Sequence, residues 1–394
     1  MNTLSASYHH QSLMQVTPRP AAVMARGAGS WLWDEAGNQY LDFLQGWAVN
    51  ALGHCAPEVS AALMSQAQTL VTPSPALHNR PQLQLADQLV GLSGMYSAHF
   101  SNSGAEANEV ALKLARKWGG QHKNGAYRII TTHNAFHGRT LSTMAASGKP
   151  GWDTLFPPYP DGYDKVDFGD LTATARVITD QTVAIMVEPV QGEAGVVVPP
   201  EGYLSGLREL ADTHNLLLIF DEIQTGVGRL GTFVAADLFG VTPDIMTLGK
   251  GLGNGLPVSA TLANVRASCF EYGDQGGTYN GNPLMTAVAA AVVETVKQDD
   301  FLGHVLKMGD LLRERLAQKL ADCHVSEIRG YGLLNAVKLA EPKAAEVVDA
   351  AFAKGLLINA ARPDTLRFMP SLRVSVDEIE DCVDRVADAI QQVF

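Results

Sequence analysis

The sequence predicts an α/β fold with a mainly parallel sheet covered by helices. Two patterns carry that prediction. Between about residues 97 and 264, short apolar runs alternate with helix-patterned stretches: Ser97–Ser103, Tyr127–Thr132, Thr182–Val190, Leu216–Glu222, Asp244–Lys250 and Ser259–Asn264. The runs are continuously apolar, which marks strands buried on both faces and hence a sheet with helices on each side. A third observation says where such a sheet would work. Five of the runs lead into residues able to do chemistry, and ligands of open parallel sheets bind beyond the carboxyl ends of the strands.

Length and composition bound the rest. At 394 residues, 46% hydrophobic and 18% charged, the chain is that of a folded protein of two or three domains. Its net charge of −12 argues against nucleic acid or an anionic membrane as partner, while leaving a small anionic substrate open. The cysteines, Cys55, Cys269, Cys323 and Cys382, are scattered without a C-x-x-C pair, as expected of free thiols in a reducing cytoplasm. Residues 1–20 lack a basic start followed by an apolar stretch, so no signal peptide is expected, and no apolar run is long enough to span a membrane.

In chain order, Ser30–Asp34 and Gln39–Phe43 flank the turn composition Glu35-Ala-Gly37-Asn38 and predict a hairpin. A helix is expected after Pro57. Phe100-Ser-Asn-Ser-Gly-Ala-Glu106 leads into a helix with the apolar face Ala107, Val110, Ala111, Leu114, Ala115 and Trp118, ended by Gly119-Gly120. After about residue 283 the chain reads as mostly helical, with strand near Leu333–Leu339 and Arg367–Leu372. The last helix is the clearest: Val376, Ile379, Val383, Val386, Ile390 and Val393 recur at helical steps, and Ser375 with Glu378 forms a capping-box pattern.

The ends of the runs supply the chemistry. Leu216–Asp221 closes on a carboxylate and Asp244–Lys250 closes on a lysine. That pair suits an aromatic aldehyde cofactor, pyridoxal 5′-phosphate (PLP). Lys250 would form a Schiff base with the carbonyl and later shuttle a proton, and Asp221 would keep the ring nitrogen protonated. Gln224 fits the ring's phenolic oxygen. Ser103, with the backbone N–H groups of Gly104 and Ala105 at a helix start, fits a phosphate. Each feature has a plainer reading alone: Ser103 as an ordinary N-cap, Asp221-Glu222 as a Mg²⁺ or loop feature, Lys250 as an exposed loop charge. Their convergence on one rim favours a single site.

Three other motifs are set aside. Gly226-Val-Gly228-Arg-Leu-Gly231 matches G-x-G-x-x-G, but Asp221 to Thr225 separate it from the strand and no acid-terminated run follows, which weighs against an NAD dehydrogenase. Gly249 to Gly255 lacks P-loop spacing. His133-Asn-Ala-Phe-His137 lacks the glutamate of the zinc-hydrolase motif, so no metal is expected.

From about Gly29 to Leu372 the residues resemble the class III, fold-type I PLP aminotransferases, and within them the acetylornithine aminotransferases. The matching stretches include Tyr40-Leu-Asp-Phe, Leu52-Gly-His54, Asn102-Ser-Gly-Ala-Glu-Ala-Asn108, Phe136-His-Gly-Arg-Thr140, Glu188-Pro-Val-Gln-Gly-Glu193, Asp221-Glu-Ile-Gln-Thr-Gly226, Gly277-Thr-Tyr279 and Arg367-Phe-Met-Pro370. The resemblance implies a large PLP-binding domain (residues 56–283) and a smaller α+β domain from both chain ends (1–55 and 284–394). It implies that Phe136 and Ile223 flank the cofactor ring and that Arg139 clamps a substrate carboxylate. Thr278 would reach the phosphate of the neighbouring subunit in a homodimer. Glu193 and Arg367 would form a switch that masks and then frees a receptor for the carboxylate of 2-oxoglutarate or glutamate.

The implied reaction moves the δ-amino group of N²-acetyl-L-ornithine to 2-oxoglutarate in arginine metabolism. N-succinylornithine, ornithine, 4-aminobutyrate or another ω-amino donor is the alternative. A catalytically silent PLP-fold binding protein would be expected to lack the lysine or the aspartate, and both are present. The pattern departs at Gly46-Trp47, where glycine leaves room for an acylated amine but the bulky Trp47 trims the acyl pocket. Met369 and Ser371 stand where Ala and Pro are usual, and Ala56 where His is common.

Overall fold

The computed structural model describes residues 12–394. Residues 1–11, part of the segment expected to hold no signal peptide, lie outside the described residues. No described helix is long and apolar enough to cross a membrane.

A seven-stranded sheet takes the order Ser97–Ser101, Ser259–Ala263, Ile245–Leu248, Leu217–Asp221, Thr182–Val187, Arg128–Thr132, Tyr163–Val166. The last five in that list run parallel. Ser259–Ala263 is antiparallel to both its neighbours, so Ser97–Ser101 points the same way as the parallel set. The carboxyl ends of six strands therefore share one rim. Every residue of the strands at 182–187, 217–221, 245–248 and 259–263 is buried.

Alternation within one strand explains why the runs read as continuous. Leu217 and Ile219 pack with the helix Gly104–His122, while Leu218 and Phe220 join the core on the opposite face. The sequence reading omitted the strand Tyr163–Val166. It lies at the sheet edge, is half-buried over three of its four residues, and its Asp164 and Lys165 break any apolar run.

The helix starting at Gly104 runs on to His122, past the stop expected at Gly119-Gly120. Gly119 answers a different need. A Cβ there would lie 1.9 Å from the carbonyl oxygen of Ala126, so the glycine lets the chain cross close to the helix.

The N-terminal hairpin pairs Trp31–Asp34 with Gln39–Asp42, and Gln39–Asp42 also takes a parallel partner from far along the chain, Leu356–Leu357. A further antiparallel sheet has the order Val325–Tyr331, Leu334–Leu339, Thr365–Phe368, Asn359–Arg362. The strand expected at Arg367–Leu372 thus ends at Phe368, because Met369 and Leu372 donate their N–H groups to Phe43 and Ala51. The final helix, Val376–Val393, has the expected capping box. Its Glu378 also accepts from Ser30 Oγ and Trp31 Nε1, both at 3.0 Å, and so ties the first hairpin to the last helix.

Asp221 ends its strand, and Glu222, the next residue, points to the opposite side. Glu222 turns away from the rim and accepts the N–H groups of Ala235 (2.5 Å) and Ala236 (2.9 Å) at the start of the short helix Ala235–Phe239. Burial pushes its carboxyl up to about 7, against the pull of these donors. Glu222→Ala leaves two buried donors without acceptors and is expected to cost about 2–3 kcal/mol. The pKa is raised above the usual 4.5, so the stability linked to the protonated form is complete below about pH 4.5 and lost as pH rises through 7. The deficit of the variant should therefore be largest in mild acid and shrink toward neutrality, as read from thermal midpoints across that range.

Candidate active site

The rim carries a cavity of about 370 Å³ lined by Ser103, Gly104, Ala105, Asn108, Phe136, His137, Gly138, Arg139, Glu188, Asp221, Ile223, Gln224 and Lys250. Strand geometry assembles it. Asp221 is the last residue of its strand and shares the face of Leu217 and Ile219, so it points toward the Gly104–His122 helix. Lys250 follows the next strand by two residues, at a φ of 42°. Ser103 caps the helix, its hydroxyl accepting the N–H of Glu106 at 3.3 Å. The plain N-cap reading is thus correct for its side chain, and the helix's positive end still opens on the cavity.

Asp221 is 3% exposed and held on several sides. Its Oδ2 accepts from Asn108 Nδ2 and lies against His137 Nδ1, each at 2.7 Å, and its Oδ1 accepts the Ile223 N–H at 3.1 Å. Thr247 Oγ1 donates to Asn108 Oδ1 at 2.8 Å and so orients that amide. Asn108 and His137 were not singled out from the sequence. The signal for Asn108 was a polar residue between Ala107 and Val110, on a helix face that is otherwise apolar. His137 drew notice only as half of a zinc-like pair. Among the described residues no group of side chains suits a metal ion.

Lys250 makes no hydrogen bond or ion pair among the described residues. The residue is only partly buried because its side chain borders the cavity, but its amine is closely surrounded. Burial pushes its pKa down, opposed by Glu193, Asp221 and Glu188. Glu188, also missed as a site residue, is buried and accepts the Phe136 N–H at 3.1 Å. Burial raises its carboxyl to about 7, with the neighbouring His137 pulling the other way.

Gln224 links this cavity to Arg367 and Glu193. Its Oε1 accepts from Arg367 Nη1 at 3.3 Å, leaving the buried Nε2 donor without a partner. Arg367 is fully buried, and its Nη2 lies 2.7 Å from Glu193 Oε1. That contact is an ion pair rather than an aligned hydrogen bond, since Nη2 has no acceptor in bonding geometry. Burial pushes the Glu193 carboxyl up, but Arg367, Lys250 and Lys149 outweigh it and hold it below the usual range. Arg139 is exposed and has no carboxylate partner among the described residues; its guanidinium carbon sits 4.4 Å from the centre of the Trp152 ring.

Besides Glu193 and Arg367, Thr278 and the Gly46-Trp47 pair lie outside the cavity lining. Thr278 sits in an exposed turn. Gln45, Gly46, Trp47 and Ala48 form a turn whose φ values, 47°, 64°, 64° and 63°, are all left-handed. Each non-glycine residue in that conformation costs about 1–2 kcal/mol. Asp42 Oδ1 opposes the cost by accepting the N–H groups of Leu44 and Gln45, both at 2.8 Å. A Cβ on Gly46 would meet nothing closer than 3.5 Å, so its backbone angle rather than crowding favours glycine, and Trp47 stays 46% exposed.

The cavity fits PLP by its own features. The orphan Gln224 Nε2 is a donor awaiting an oxygen, the Asp221 carboxylate faces inward, and the helix start offers N–H groups to a phosphate. Ile223 reaches its position only because Gly104 has no side chain: a Cβ there would lie 2.8 Å from Ile223 Cγ2. Fold and site together define a PLP-dependent enzyme of the α/β class. The chain matches the family described as aminotransferase class-III over residues 14–390, and it belongs to that family. Acetylornithine aminotransferase 2 of Bordetella pertussis is 50% identical over 385 residues, 97% of each chain. Succinylornithine transaminase of Yersinia pseudotuberculosis is 45% identical, over 94% of this chain and 92% of its own. The ornithine aminotransferase of Toxoplasma gondii, solved with PLP at partial occupancy in its active site, superposes with a TM-score of 0.92 at 35% identity, covering 97% of this chain and 93% of that one.

Proposed function

We propose that this chain transfers the δ-amino group of N²-acetyl-L-ornithine to 2-oxoglutarate, giving N-acetyl-L-glutamate 5-semialdehyde and L-glutamate, as a cytoplasmic homodimer serving arginine biosynthesis. The observation that carries the reading is the contrast between two arginines. Arg139 is open and has no carboxylate partner among the described residues, whereas Arg367 is buried and paired with Glu193. A donor reacting at its far amine has no carboxylate near the reacting carbon, while glutamate and 2-oxoglutarate do. One masked and one open receptor serve both.

Bound in the cavity, PLP supplies the aldehyde that accepts the amino group and a protonated ring that draws electrons from the reacting carbon. Asp221, steadied by Asn108 and His137, holds the proton on the ring nitrogen. Phe136 and Ile223 would cover the ring faces, Gln224 Nε2 would donate to the ring oxygen, and the N–H groups of Gly104 and Ala105 with Ser103 would hold the phosphate. Lys250 Nζ takes the proton from the donor's δ-carbon in the first half-reaction and returns one to the acceptor's α-carbon in the second. Arg139 holds the donor's α-carboxylate through its two-pronged guanidinium. The exposed Thr278, away from its own cavity, suits a phosphate contact in a partner subunit.

The test is the half-reaction rate of the PLP form with acetylornithine, succinylornithine, ornithine and 4-aminobutyrate. Fastest turnover of the acetyl donor is expected, and preference for free ornithine or 4-aminobutyrate would overturn the reading. Glu193→Ala should unmask Arg367 and raise the rate with glutamate relative to the acylated donor by about tenfold, the order of one partly buried ion pair. An unmoved ratio, in the same stopped-flow measurement, would remove Glu193 from the switch.

A further inference from the structure

Glu188 stands one residue past the strand Thr182–Val187 and borders the active-site cavity. It is 5% exposed and makes no ion pair among the described residues. Burying a carboxyl without a paired cation costs stability unless its oxygens find other partners. Here both do, in backbone donors from two different loops. Oε2 accepts the Phe136 N–H at 3.1 Å, and Oε1 accepts the Gly192 N–H at 3.4 Å. One carboxyl thus joins the aromatic residue of the cavity to the residue before Glu193.

The stretch that carries Glu193 is pinned at other points. Gln191 Nε2 donates to Thr132 Oγ1 and to the His133 carbonyl, both at 3.0 Å. The Gln191 backbone exchanges hydrogen bonds with Val197 at 3.0 and 2.9 Å, which closes the loop. On its far side Arg329 Nη2 donates to the Gly195 carbonyl at 2.7 Å. Gly192 lies against the surroundings of Arg367: a Cβ on it would sit 1.7 Å from Gln224 Oε1, the atom that accepts from Arg367 Nη1. A shift of Gly192 therefore moves Glu193, which follows it, and changes the room left for Gln224 beside Arg367. The charged groups acting on Glu188, His137, Asp221 and Lys250, line the same cavity.

We infer that Glu188 is a positioning residue that ties the Phe136 segment to Gly192 and so holds Glu193 where it masks Arg367. This rests on the reading of Glu193 as the group that masks the receptor for the acceptor's carboxylate. Two accepting oxygens suit the task, one for each backbone donor. An amide has only one accepting end. In Glu188→Gln the oxygen keeps the shorter bond to Phe136 and an NH₂ group faces the buried Gly192 N–H, so two donors oppose each other and Gly192 loses its anchor.

The experiment measures the half-reaction kcat/KM of the PLP form for glutamate and for its fastest ω-amino donor, together with the visible circular dichroism of the bound cofactor. In Glu188→Gln the glutamate-to-donor ratio should rise about three- to fivefold, the scale of one hydrogen bond, with the dichroism kept. Added to Glu193→Ala, Glu188→Gln should change the ratio no further, since the group it positions is gone. Glu188→Ala frees Phe136 as well and should lower the dichroism. A Glu188→Gln ratio within about twofold of the native one, a fully additive effect on Glu193→Ala, or unchanged dichroism in Glu188→Ala overturns the inference. A lowered thermal midpoint with an unmoved ratio also overturns it, because Glu188 would then serve stability alone. Should Glu188→Ala not fold, Glu188→Gln and the double variant decide. If Glu193→Ala itself leaves the ratio unmoved, the masking reading fails and takes the inference with it.

Discussion

Lys250→Ala should abolish amino transfer, lowering the half-reaction rate with the acylated donor by about four orders of magnitude or more, because one amine serves as both nucleophile and proton carrier. The protein should remain folded. The Lys250 amine has no ion pair among the described residues, and burial already disfavours its charge. Replacing an unpaired, desolvated cation by a methyl group leaves no partner stranded, so the thermal midpoint should hold or rise. The checks are stopped-flow single turnovers and the visible absorbance of the reconstituted protein, which should lose the band of the lysine-linked cofactor. A variant that keeps a hundredth of the native rate would show that another base moves the proton.

The second large effect belongs to Asp221→Asn. The substitution keeps the shape of the side chain and removes only its charge, and it sets an amide where Oδ2 now meets both Asn108 Nδ2 and His137 Nδ1 at 2.7 Å. Without the carboxylate the ring nitrogen loses the charge held for its proton, and kcat should fall about a thousandfold, with weaker cofactor retention. His137→Phe removes one of the groups steadying Asp221 while the charge stays, so about a tenfold loss is expected. Measuring both variants by single turnover and by dialysis of the cofactor separates the two roles. Equal losses would mean that geometry, not charge, is what Asp221 contributes.

Much of this site was legible because strands buried on both faces leave few choices. In Leu217–Asp221 every residue must be apolar until the strand emerges, so the first polar residue marks the rim. Lys250 stood out at the end of another such run, and Ser103 at the start of a helix-patterned stretch. What stayed hidden depends on neighbours. Asn108 is one polar residue on a buried helix face, and its meaning appears only when Asp221 arrives from 113 residues along the chain. The edge strand Tyr163–Val166 has no apolar run to announce it, because solvent takes part of one side. Gly119 looked like a helix stop, since the close approach of Ala126 cannot be read from a linear pattern.

By itself the sequence determined the α/β class, the rim on which chemistry could occur, and the pairing of a lysine with a carboxylate that points to PLP. These follow from local rules: burial on two faces demands apolar runs, and polar groups are tolerated where strands end. Tertiary structure alone decided what the acid beside Asp221 does. A one-residue step along a strand turns a side chain to the other face, sending Asp221 to the cavity and Glu222 to a helix start. The resemblance implied that Glu193 masks Arg367; tertiary structure alone set Arg139 on the Trp152 ring with no carboxylate partner among the described residues. Arg139 and Arg367 are the same residue chemically, and only the packing that buries one against Glu193 and leaves the other on an indole gives them different work.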